Sequence, residues 1–471
     1  MSMKDFTYRL GEFWADFRKE TSGLIGLGIL ALSIVVVLLE PVFLPYKNVN
    51  GNWRNITYWE DNPPAAPPAW TNLFSSQKSA TTKRLDKPVI TEEEDPEFGA
   101  VRVFTFKYSY KFDKSPLDII FKAKGTGMLF MNISIERPDG ESVFLGQMYQ
   151  DGLDGDPIRF AIDTDASSAV YEFIRNHASE EAIANSDSST VKPTNIIFAK
   201  TGSDMLAARE ALKGDYLYKV KIPASLFEDG SNSVEDMNLI VTGRVSGILG
   251  TDTSKRDIYS GIIAGLKWAL FIGIITSIVS VLIGVLYGII CAYFGGITDT
   301  IMSFIFEIFV SMPMLPILIV LSAIFKPSIW IIIGSMIVFY WVGPVKTVRS
   351  MALQIKEETY IEAAKALGSG KWRIIFKHMA PLLLPYSFAN MALSVPGAIV
   401  AESSLSLLGL GDPSIISWGQ ILHDAQLSGA TLNGLWWWIV PPGLFIALMG
   451  MTFAFLGFAM DKILHPKLRT R

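Results

Sequence analysis

Six long apolar segments constrain this chain more than any other feature. A helix needs about 20 mainly apolar residues to cross the hydrocarbon core of a bilayer. The segments run over Leu24–Leu44, Ile262–Tyr293, Ile301–Ile324, Ile329–Val345, Leu382–Ile399 and Trp436–Met460. Half of the 471 residues are hydrophobic, and the mean hydropathy is +0.34, which soluble domains rarely combine with such segments. The fold class predicted is therefore membrane α-helical, with six transmembrane helices.

The N-terminal region is predicted to hold two helices. Residues 1–20 form an amphipathic pattern, so we expect a helix that lies in the membrane interface or packs on protein. Residues 21–46 are predicted to be the first transmembrane helix. Their apolar stretch is longer than that of a signal peptide and lacks a small-residue cleavage site, so we expect it to be retained.

A soluble-looking insertion occupies residues 47–249. From Lys47 to Asp257 there are 24 Lys and Arg against 31 Asp and Glu, whereas the remainder has 17 against 14. Near its beginning the insertion holds a Pro-rich stretch at 62–70, which should be extended. A β-rich, sandwich-like domain is predicted for about 75–245, and the alternative is an irregular insertion.

Period-two alternation supports the β-rich prediction, because successive side chains of a strand point to opposite faces. The alternating runs are Val101–Tyr108, Met131–Glu136 and Tyr216–Ile222. Pro138, Asp139 and Gly140 predict a turn after the second of these runs. Helical patterns predict helices near Ala166–Asn176 and Asp204–Leu212.

The distribution of lysine and arginine predicts the orientation of the chain. Cytoplasmic loops of membrane proteins carry an excess of these residues. The N-terminus, the C-terminal tail and the loop at 345–380 are all basic. With six helices these three regions fall on one side, so we expect both termini in the cytoplasm and the acidic insertion on the other side.

The 345–380 loop lies between two apolar segments and carries the pattern of two short helices. Good helix formers run from Glu357 to Leu367, and Gly368 can end that helix in a left-handed conformation. A second short helix is predicted over Lys371–Met379, before Pro381. Such a pair either transmits force from a cytoplasmic partner or is an ordinary loop helix on the membrane surface; the pattern alone leaves both open.

The residues of this loop resemble the "EAA" loop of permease subunits of bacterial and archaeal ABC importers. The resemblance rests on Glu362, Ala363 and Ala364, then Gly368 and Pro381, and it implies that these residues and Lys371 couple the chain to an ATPase. Three further stretches resemble the second permease subunit of the dipeptide/oligopeptide/nickel family. They are GTDTSKRD with Gly250, Thr251, Asp252, Arg256 and Asp257, where Lys255 replaces the usual glycine; ESSLSLLGLG from Glu402 to Gly411; and DKILHPKLR from Asp461 to Arg469.

This resemblance covers about 1–70 and 250–471, so residues 250–471 are predicted to form a permease core with five transmembrane helices. It implies a non-catalytic subunit whose EAA helix couples to a cytoplasmic ATPase. The implied partners are a second permease subunit, two ATPase subunits and an extracytoplasmic solute-binding protein, with ATP and Mg²⁺ bound by the ATPases. The sequence has no GxxxxGK[ST] phosphate loop of its own. The implied location is the cell membrane of a bacterium or archaeon.

Four residues are candidates for the translocation pathway or a gate. Glu307 and Glu402 lie in apolar segments, where ionisable groups are costly and often functional. Pro313 and Pro316 follow Glu307 and resemble the family's SxPxLP stretch, and prolines free backbone carbonyls within a membrane helix. A structural interhelical hydrogen bond is the alternative role for Glu307.

The predicted function is transport of di- or oligopeptides through a pathway of which this chain forms half. The alternatives are an importer of oligosaccharides or nickel in the same family, or a channel or sensor with an extracytoplasmic β domain. Cys291 is the only cysteine and the four histidines are scattered, so no metal site and no catalytic residue are predicted.

Overall fold

The computed structural model describes residues 13–184, 192–202, 206, 210–228 and 230–464. Contacts divide the chain into two compact units. The membrane unit is formed by Met1–Trp53 and Ser260–Arg471, and the β-rich unit by Arg54–Tyr259. Residues 13–17 are helical. The rest of the predicted N-terminal amphipathic helix and most of the predicted C-terminal motif, including Arg469, lie outside the described residues.

The membrane unit is built from helices. Its long helices are Thr21–Leu38, Ile258–Phe294, Gly296–Ser311, Met314–Ile324, Ile329–Tyr340, Val345–Lys356, Ala380–Leu407 and Trp436–Leu464. Its shorter helices are Glu40–Phe43, Val49–Asn52, Thr359–Ala366, Lys371–Arg373, the π-helix Ile374–Met379, and Trp418–Leu427. Their side chains are apolar because they face lipid or pack against each other. The segments are helical because a helix satisfies every backbone polar group internally where no water is present.

Four helices in the described residues are long and apolar enough to cross a membrane, and the number is six if each of two bent pairs counts as one crossing. Gly296–Ser311 and Met314–Leu321 meet at 79°, and Ile329–Tyr340 and Val345–Lys356 meet at 49°. Pro313 lies at the first break and Pro344 at the second. A proline lacks an amide proton and clashes with the preceding turn, so it interrupts a helix. The predicted segments Ile301–Ile324 and Ile329–Val345 therefore each contain or end at a bend.

The first and last long helices pack closely through small residues. A Cβ atom at Gly26 would lie 2.8 Å from the carbonyl oxygen of Thr452, so only glycine allows this approach. Small residues let membrane helices pack backbone to backbone, where lipid supplies no hydrophobic driving force. This contact attaches Thr21–Leu38 to Trp436–Leu464.

The β-rich unit contains one antiparallel sheet of eight strands in its described residues. The strands are β1 Lys83–Leu85, β2 Val89–Asp95, β3 Gly99–Tyr110, β4 Asp118–Glu136, β5 Ser142–Asp154, β6 Ile158–Arg159, β7 Gly214–Pro223 and β8 Ser233–Thr242. Their order is β1-β8-β4-β7-β3-β2, with β5 and β6 also paired to β4.

The core of this unit comes from the predicted alternation. Strand β7 alternates buried and less buried residues along most of its length. Its Tyr216 and Tyr218 stand opposite Tyr108 and Phe106 of β3, and such aromatic cross-strand pairs stabilise sheets. The prediction of a β-rich insertion is confirmed. The sandwich of two sheets is corrected to one continuous sheet, because β4 is 19 residues long and pairs with four other strands.

Helices cover part of this sheet. The helix Thr164–His177 buries Val170, Phe173 and Ile174 in the core, close to the predicted Ala166–Asn176. Asp163 caps its N-terminus by accepting a hydrogen bond from the Ala166 amide at 2.9 Å. Further helices are Glu180–Ala184 and Pro193–Ile197, with 3₁₀ turns at Thr57–Trp59, Ala69–Leu73 and Ala224–Phe227. Most of the predicted helix at Asp204–Leu212 lies outside the described residues.

Candidate functional site

The 345–380 loop contains a short polar helix with a defined end. The helix runs over Thr359–Ala366. Gly368 has a φ of +81°, its amide donates to the Lys365 carbonyl at 2.9 Å, and the Ser369 amide donates to Ala364 at 3.0 Å. This pair of bonds is the Schellman arrangement, which satisfies carbonyls at a helix end and favours glycine. The chain therefore reverses sharply before Lys371–Arg373.

One residue attaches this helix to the membrane unit. Ile361 is fully buried and packs in a cluster that includes Val285 and Ile289 of Ile258–Phe294, together with Val348 and Ile375. The remaining face is open: Glu362 and Ala363 are exposed, and Leu367 is 88% exposed. A helix with one apolar anchor and an exposed polar face is suited to transmit displacement from whatever binds that face. We call Thr359–Ala366 the coupling helix, after the role that its resemblance to the EAA loop implies.

Three lysines surround the C-terminal end of Ile258–Phe294. Lys356 Nζ donates to the Ala292 carbonyl at 3.1 Å. Lys365 Nζ lies 6.0 Å from the ring centre of Tyr293, and Lys371 Nζ lies 5.5 Å from that of Phe294. Cations are favoured at the negative end of a helix dipole and over aromatic faces. These contacts, which we call the lysine clasp, join the coupling helix and its flanks to a helix of 37 residues.

An ion pair joins the helix before the coupling helix to the first bent pair. Arg349 donates from Nε and Nη2 to the two carboxylate oxygens of Asp299, at 2.7 and 2.6 Å. Two parallel charge-assisted bonds fix the relative orientation of the two side chains as well as their distance. Val345–Lys356 and Gly296–Ser311 are therefore held together on the side that carries the coupling helix.

The predicted pathway residues fall into different surroundings. Glu307 forms an ion pair with Lys346, in which Lys346 Nζ lies 3.0 Å from Glu307 Oε1. Both side chains are more than half exposed within this chain. Pro313 precedes Met314–Ile324 and Pro316 lies in its first turn. The proposed gate residue Glu307 thus makes an interhelical contact four residues before Ser311, where the first helix of the bent pair ends.

Glu402 is buried in Ala380–Leu407 and is 3% exposed. The Ser406 hydroxyl bonds to its Oε1 at 2.7 Å, and Ser403 to its Oε2 at 3.4 Å. A Cβ atom at Gly419 would lie 2.6 Å from the Cβ of Ser406, so the helix Trp418–Leu427 packs directly on this site. Glu402 and Glu307 have no neighbour in common among these contacts.

The predicted motif at 250–257 holds the Pro-rich segment in place. Thr251 Oγ1 donates to the Pro63 carbonyl at 2.6 Å and accepts from the Ala66 amide at 3.0 Å. Asp252 pairs with Arg256 at 2.5 Å, and both are buried. Lys255 has a φ of +66°, which is a conformation that glycine adopts without strain. Gly250 and Asp257 flank this turn, so the motif is a structural junction within the β-rich unit.

Sequence reasoning missed several of these residues. Asp299 was not singled out, and Arg349 and Lys356 were only counted as positive charges. Their partners lie 50 and 64 residues away in sequence, and nothing in the spacing indicates the contact. Ile361 carries a usable signal, because it is the one large aliphatic residue in the helix Thr359–Ala366. In the described residues no cluster of three or more metal-binding side chains occurs.

Comparison with known proteins identifies relatives of the C-terminal part of this chain. Residues 284–470 match the family model described as binding-protein-dependent transport system inner membrane component. This range includes the coupling helix, both partners of the Asp299–Arg349 pair, and Glu402.

Three curated proteins are similar over the same region. The dipeptide transport system permease protein of Bacillus subtilis is 38% identical over 47% of this chain and 68% of its own length. The oligopeptide transport system permease protein of the same organism is 34% identical over 47% and 72%. The corresponding protein of Haemophilus influenzae is 35% identical over 46% and 70%. Roughly half of this chain, therefore, has no counterpart in these alignments.

Proposed function

This chain belongs to the family of inner membrane components of binding-protein-dependent transport systems, and we propose that it forms half of the translocation pathway of an ATP-driven peptide importer. The observation that carries the proposal is the coupling helix, anchored by Ile361 and exposed on its other face. The names of the similar permeases, for dipeptides and oligopeptides, support peptides as the solute.

The coupling helix receives its displacement from a partner ATPase. ATP and Mg²⁺ bind in two such subunits, and this chain performs no hydrolysis itself. Glu362, Ala363 and Ala364 form the docking surface, while Gly368 and Lys371 set the course of the chain towards Pro381. Leu367, at the end of this helix, is also exposed.

Displacement passes from the coupling helix to the membrane helices by two contacts. The lysine clasp pulls on the end of Ile258–Phe294, and the Arg349–Asp299 pair moves Gly296–Ser311 with Val345–Lys356. The bend at Pro313 allows Gly296–Ser311 to tilt without carrying Met314–Ile324 rigidly with it. Glu307, Pro313, Pro316 and Glu402 are the proposed pathway or gate residues.

The proposed arrangement places six helices across the cell membrane of a bacterium or archaeon. Each bent pair crosses once, both termini are cytoplasmic, and the β-rich unit is extracytoplasmic. A second permease subunit supplies the other half of the pathway, and a solute-binding protein delivers the peptide. Oligosaccharide or nickel import by the same architecture is the alternative that identification of the bound solute would decide.

The test of this function is to purify the chain with the proteins that accompany it and to identify them and their solute. Two ATPases, a second permease and a binding protein carrying a peptide are expected. The same complex in liposomes should accumulate that peptide only with ATP inside the compartment that holds the ATPases. Recovery of the chain without any ATPase, from membranes solubilised in mild detergent, would contradict the proposal.

The β-rich unit is proposed to dock or orient the binding protein, or to cap the outer end of the pathway. Its two connections run side by side: the Arg244 amide donates to the Ala80 carbonyl at 2.7 Å, and Ser246 to Pro67 at 2.9 Å. The sheet can therefore be excised between Ala80 and Arg244 and the ends joined by a short linker. Loss of uptake with ATPase activity retained is expected, and unchanged uptake with unchanged affinity for the binding protein would overturn this role.

A further inference from the structure

A cavity of about 410 Å³ lies in the β-rich unit, beside the end of β3. Its lining includes Tyr110, Lys114, Ser115, Asn195, Phe198 and Arg244. Two of these are cations, three are neutral hydrogen-bonding groups, and one is apolar. A pocket of this size with a few convergent polar groups on an apolar wall is typical of a small-molecule site.

Arg244 is a half-buried cation without a counter-ion. Its Nε donates to the Ser115 carbonyl at 2.7 Å, and its Nη2 lies 3.4 Å from the Ser115 hydroxyl. No carboxylate oxygen lies within 4.0 Å of its guanidinium in the part of the chain that the structure describes. Burial lowers the pKa of Arg244, which reflects the cost of keeping this charge away from water. The remaining guanidinium N–H groups are available to an anion.

Tyr110 presents a second unused donor. The residue is 1% exposed, and its buried hydroxyl has no hydrogen-bond partner among the described residues. Its ring is held at 4.7 Å from Phe198, so the hydroxyl cannot turn to water without repacking. Buried polar groups are nearly always paired, and each exception calls for an explanation. Tyr110 and Arg244 line the same cavity.

The acidic residue in the lining is already compensated. Asp113 accepts from Lys213 Nζ at 2.7 Å and from the Lys78 amide at 2.8 Å, and these bonds lower its pKa. Lys114 and Arg244 therefore leave the cavity with excess positive charge. Asn195 accepts from the Ser115 hydroxyl at 2.7 Å through Oδ1, so its amide N–H groups remain donors.

We propose that this cavity binds a small organic carboxylate that carries an apolar group. The carboxylate accepts hydrogen bonds from Arg244 and from the Tyr110 hydroxyl, which supplies the counter-ion and the acceptor that these two groups lack. Phe198, Ala199 and Ala211 provide the wall for the apolar group. A planar carboxylate fits the fork of a guanidinium. All residues of this lining belong to the β-rich unit, and the proposal does not depend on the transport function proposed above.

The test uses the full chain in lipid nanodiscs and isothermal titration calorimetry. The probes are N-acetyl-L-leucine, its uncharged amide N-acetyl-L-leucinamide, and inorganic phosphate. We expect the acid to bind at least tenfold more tightly than the amide and than phosphate, since only the acid offers both a carboxylate and an apolar group. Equal binding of acid and amide, equal or tighter binding of phosphate, or no heat with the acid would each overturn the proposal.

Two substitutions locate the site. Tyr110→Phe removes only an unpaired hydroxyl, so the melting temperature should be unchanged or higher while the affinity for the acid falls about tenfold. Arg244→Gln should abolish binding, and Arg175→Gln, at an exposed arginine of the same unit, should not alter it. Wild-type affinity in Tyr110→Phe, measured on protein with a normal melting temperature, would place the ligand elsewhere and overturn the assignment.

Discussion

The coupling helix and the β-rich unit bury their apolar residues in opposite ways. Around the coupling helix, Leu367 is 88% exposed and Trp372 is 56% exposed. In the β-rich unit, Tyr108, Phe121 and Tyr218 are at most 1% exposed. The β-rich unit builds a large core of its own, although it also leaves apolar residues such as Ile162 and Tyr149 exposed, whereas the coupling helix buries its one anchor in the membrane unit. We infer that the β-rich unit holds its own shape, while the coupling helix takes its position from the helices around it.

The same contrast holds for how each region is secured. Within the coupling helix Ile361 is the buried residue, and the lysine clasp adds contacts that are individually weak. The β-rich unit has a large core to which five long strands and two helices contribute. Substitutions near the coupling helix should therefore change coupling more than stability, and substitutions in the β-rich unit should do the reverse.

Asp139→Asn should produce the largest effect on stability. Arg137 is buried, donates to Asp139 at 2.8 Å and also bonds to the Ala199 carbonyl at 2.7 Å. Removing the carboxylate leaves a buried charge without its counter-ion, which costs about 3 kcal/mol. Hydrogen exchange of the β7 amides in the full chain measures this loss. Asp215→Asn is the control, because Asp215 forms an exposed ion pair with Lys107, and it should change the exchange protection of β7 little. Equal exchange protection in the two variants would show that the buried pair contributes no more stability than the exposed one.

Acid should weaken the β-rich unit through the same pair. Burial raises the pKa of Asp139, but hydrogen bonds from Arg137 and Thr201 outweigh it and lower the pKa below 3.8. The stability that Asp139 contributes is therefore complete above 3.8 and is lost as the pH falls through the lower folded pKa. The stability contribution of Asp118 changes with pH in the opposite direction. Burial raises the pKa of Asp118, so its contribution to stability is lost as the pH rises. Exchange protection measured against pH should fall less steeply in Asp139→Asn than in the wild type.

Arg349→Lys should reduce coupling with little effect on folding. Lysine keeps the charge but cannot make both bonds to Asp299, and losing one charge-assisted bond weakens the tie by about 1–2 kcal/mol. The number of solute molecules transported per ATP, measured in liposomes, should decrease. Lys462→Gln removes an exposed ion pair with Glu20 in the same unit and serves as the control. An equal decrease in both variants would show that the pair between Arg349 and Asp299 has no special role in coupling.

Lys255→Gly should have the smallest effect, a gain in stability. The backbone of Lys255 has a positive φ, which costs a side-chain-bearing residue about 1 kcal/mol relative to glycine. Lys255→Ala is the matched control, since it removes the same ammonium group but keeps the strain. The glycine variant should therefore be the more stable of the two, by exchange protection of the 250–257 turn. Equal stability would mean that the turn relaxes.

The sequence predicted the parts of the fold that depend on local pattern. Apolar length located the membrane helices, and alternation located β3, β4 and β7. The sequence does not predict the bends at Pro313 and Pro344. A proline can also lie inside a continuous helix, as Pro385 and Pro396 do in Ala380–Leu407, so a proline alone does not indicate a bend. The single sheet was missed because strand pairing depends on contacts between residues distant in sequence.

The candidate site was predictable only at its exposed face. Glu362 to Gly368 were recognised by their resemblance to a known motif. The residues that connect this face to the membrane helices, Asp299, Arg349 and Lys356, belong to ordinary residue types at unremarkable spacing. Their role follows from distances that only the folded chain shows.

Gly368 offers the most direct test of whether the coupling helix converts ATPase movement into transport, as proposed. A Cβ atom there would meet nothing within 4 Å, so a substitution acts through the left-handed backbone and not through a clash. Gly368→Val disfavours that conformation and Gly368→Asn tolerates it. Glu362→Lys, which alters the exposed face, should act like Gly368→Val.

The measurement is the amount of solute transported per ATP hydrolysed by the reconstituted complex. We predict a large decrease for Gly368→Val, with the protein still in the membrane, and a ratio close to wild type for Gly368→Asn. A wild-type ratio in Gly368→Val and Glu362→Lys would show that this helix does not couple the two processes.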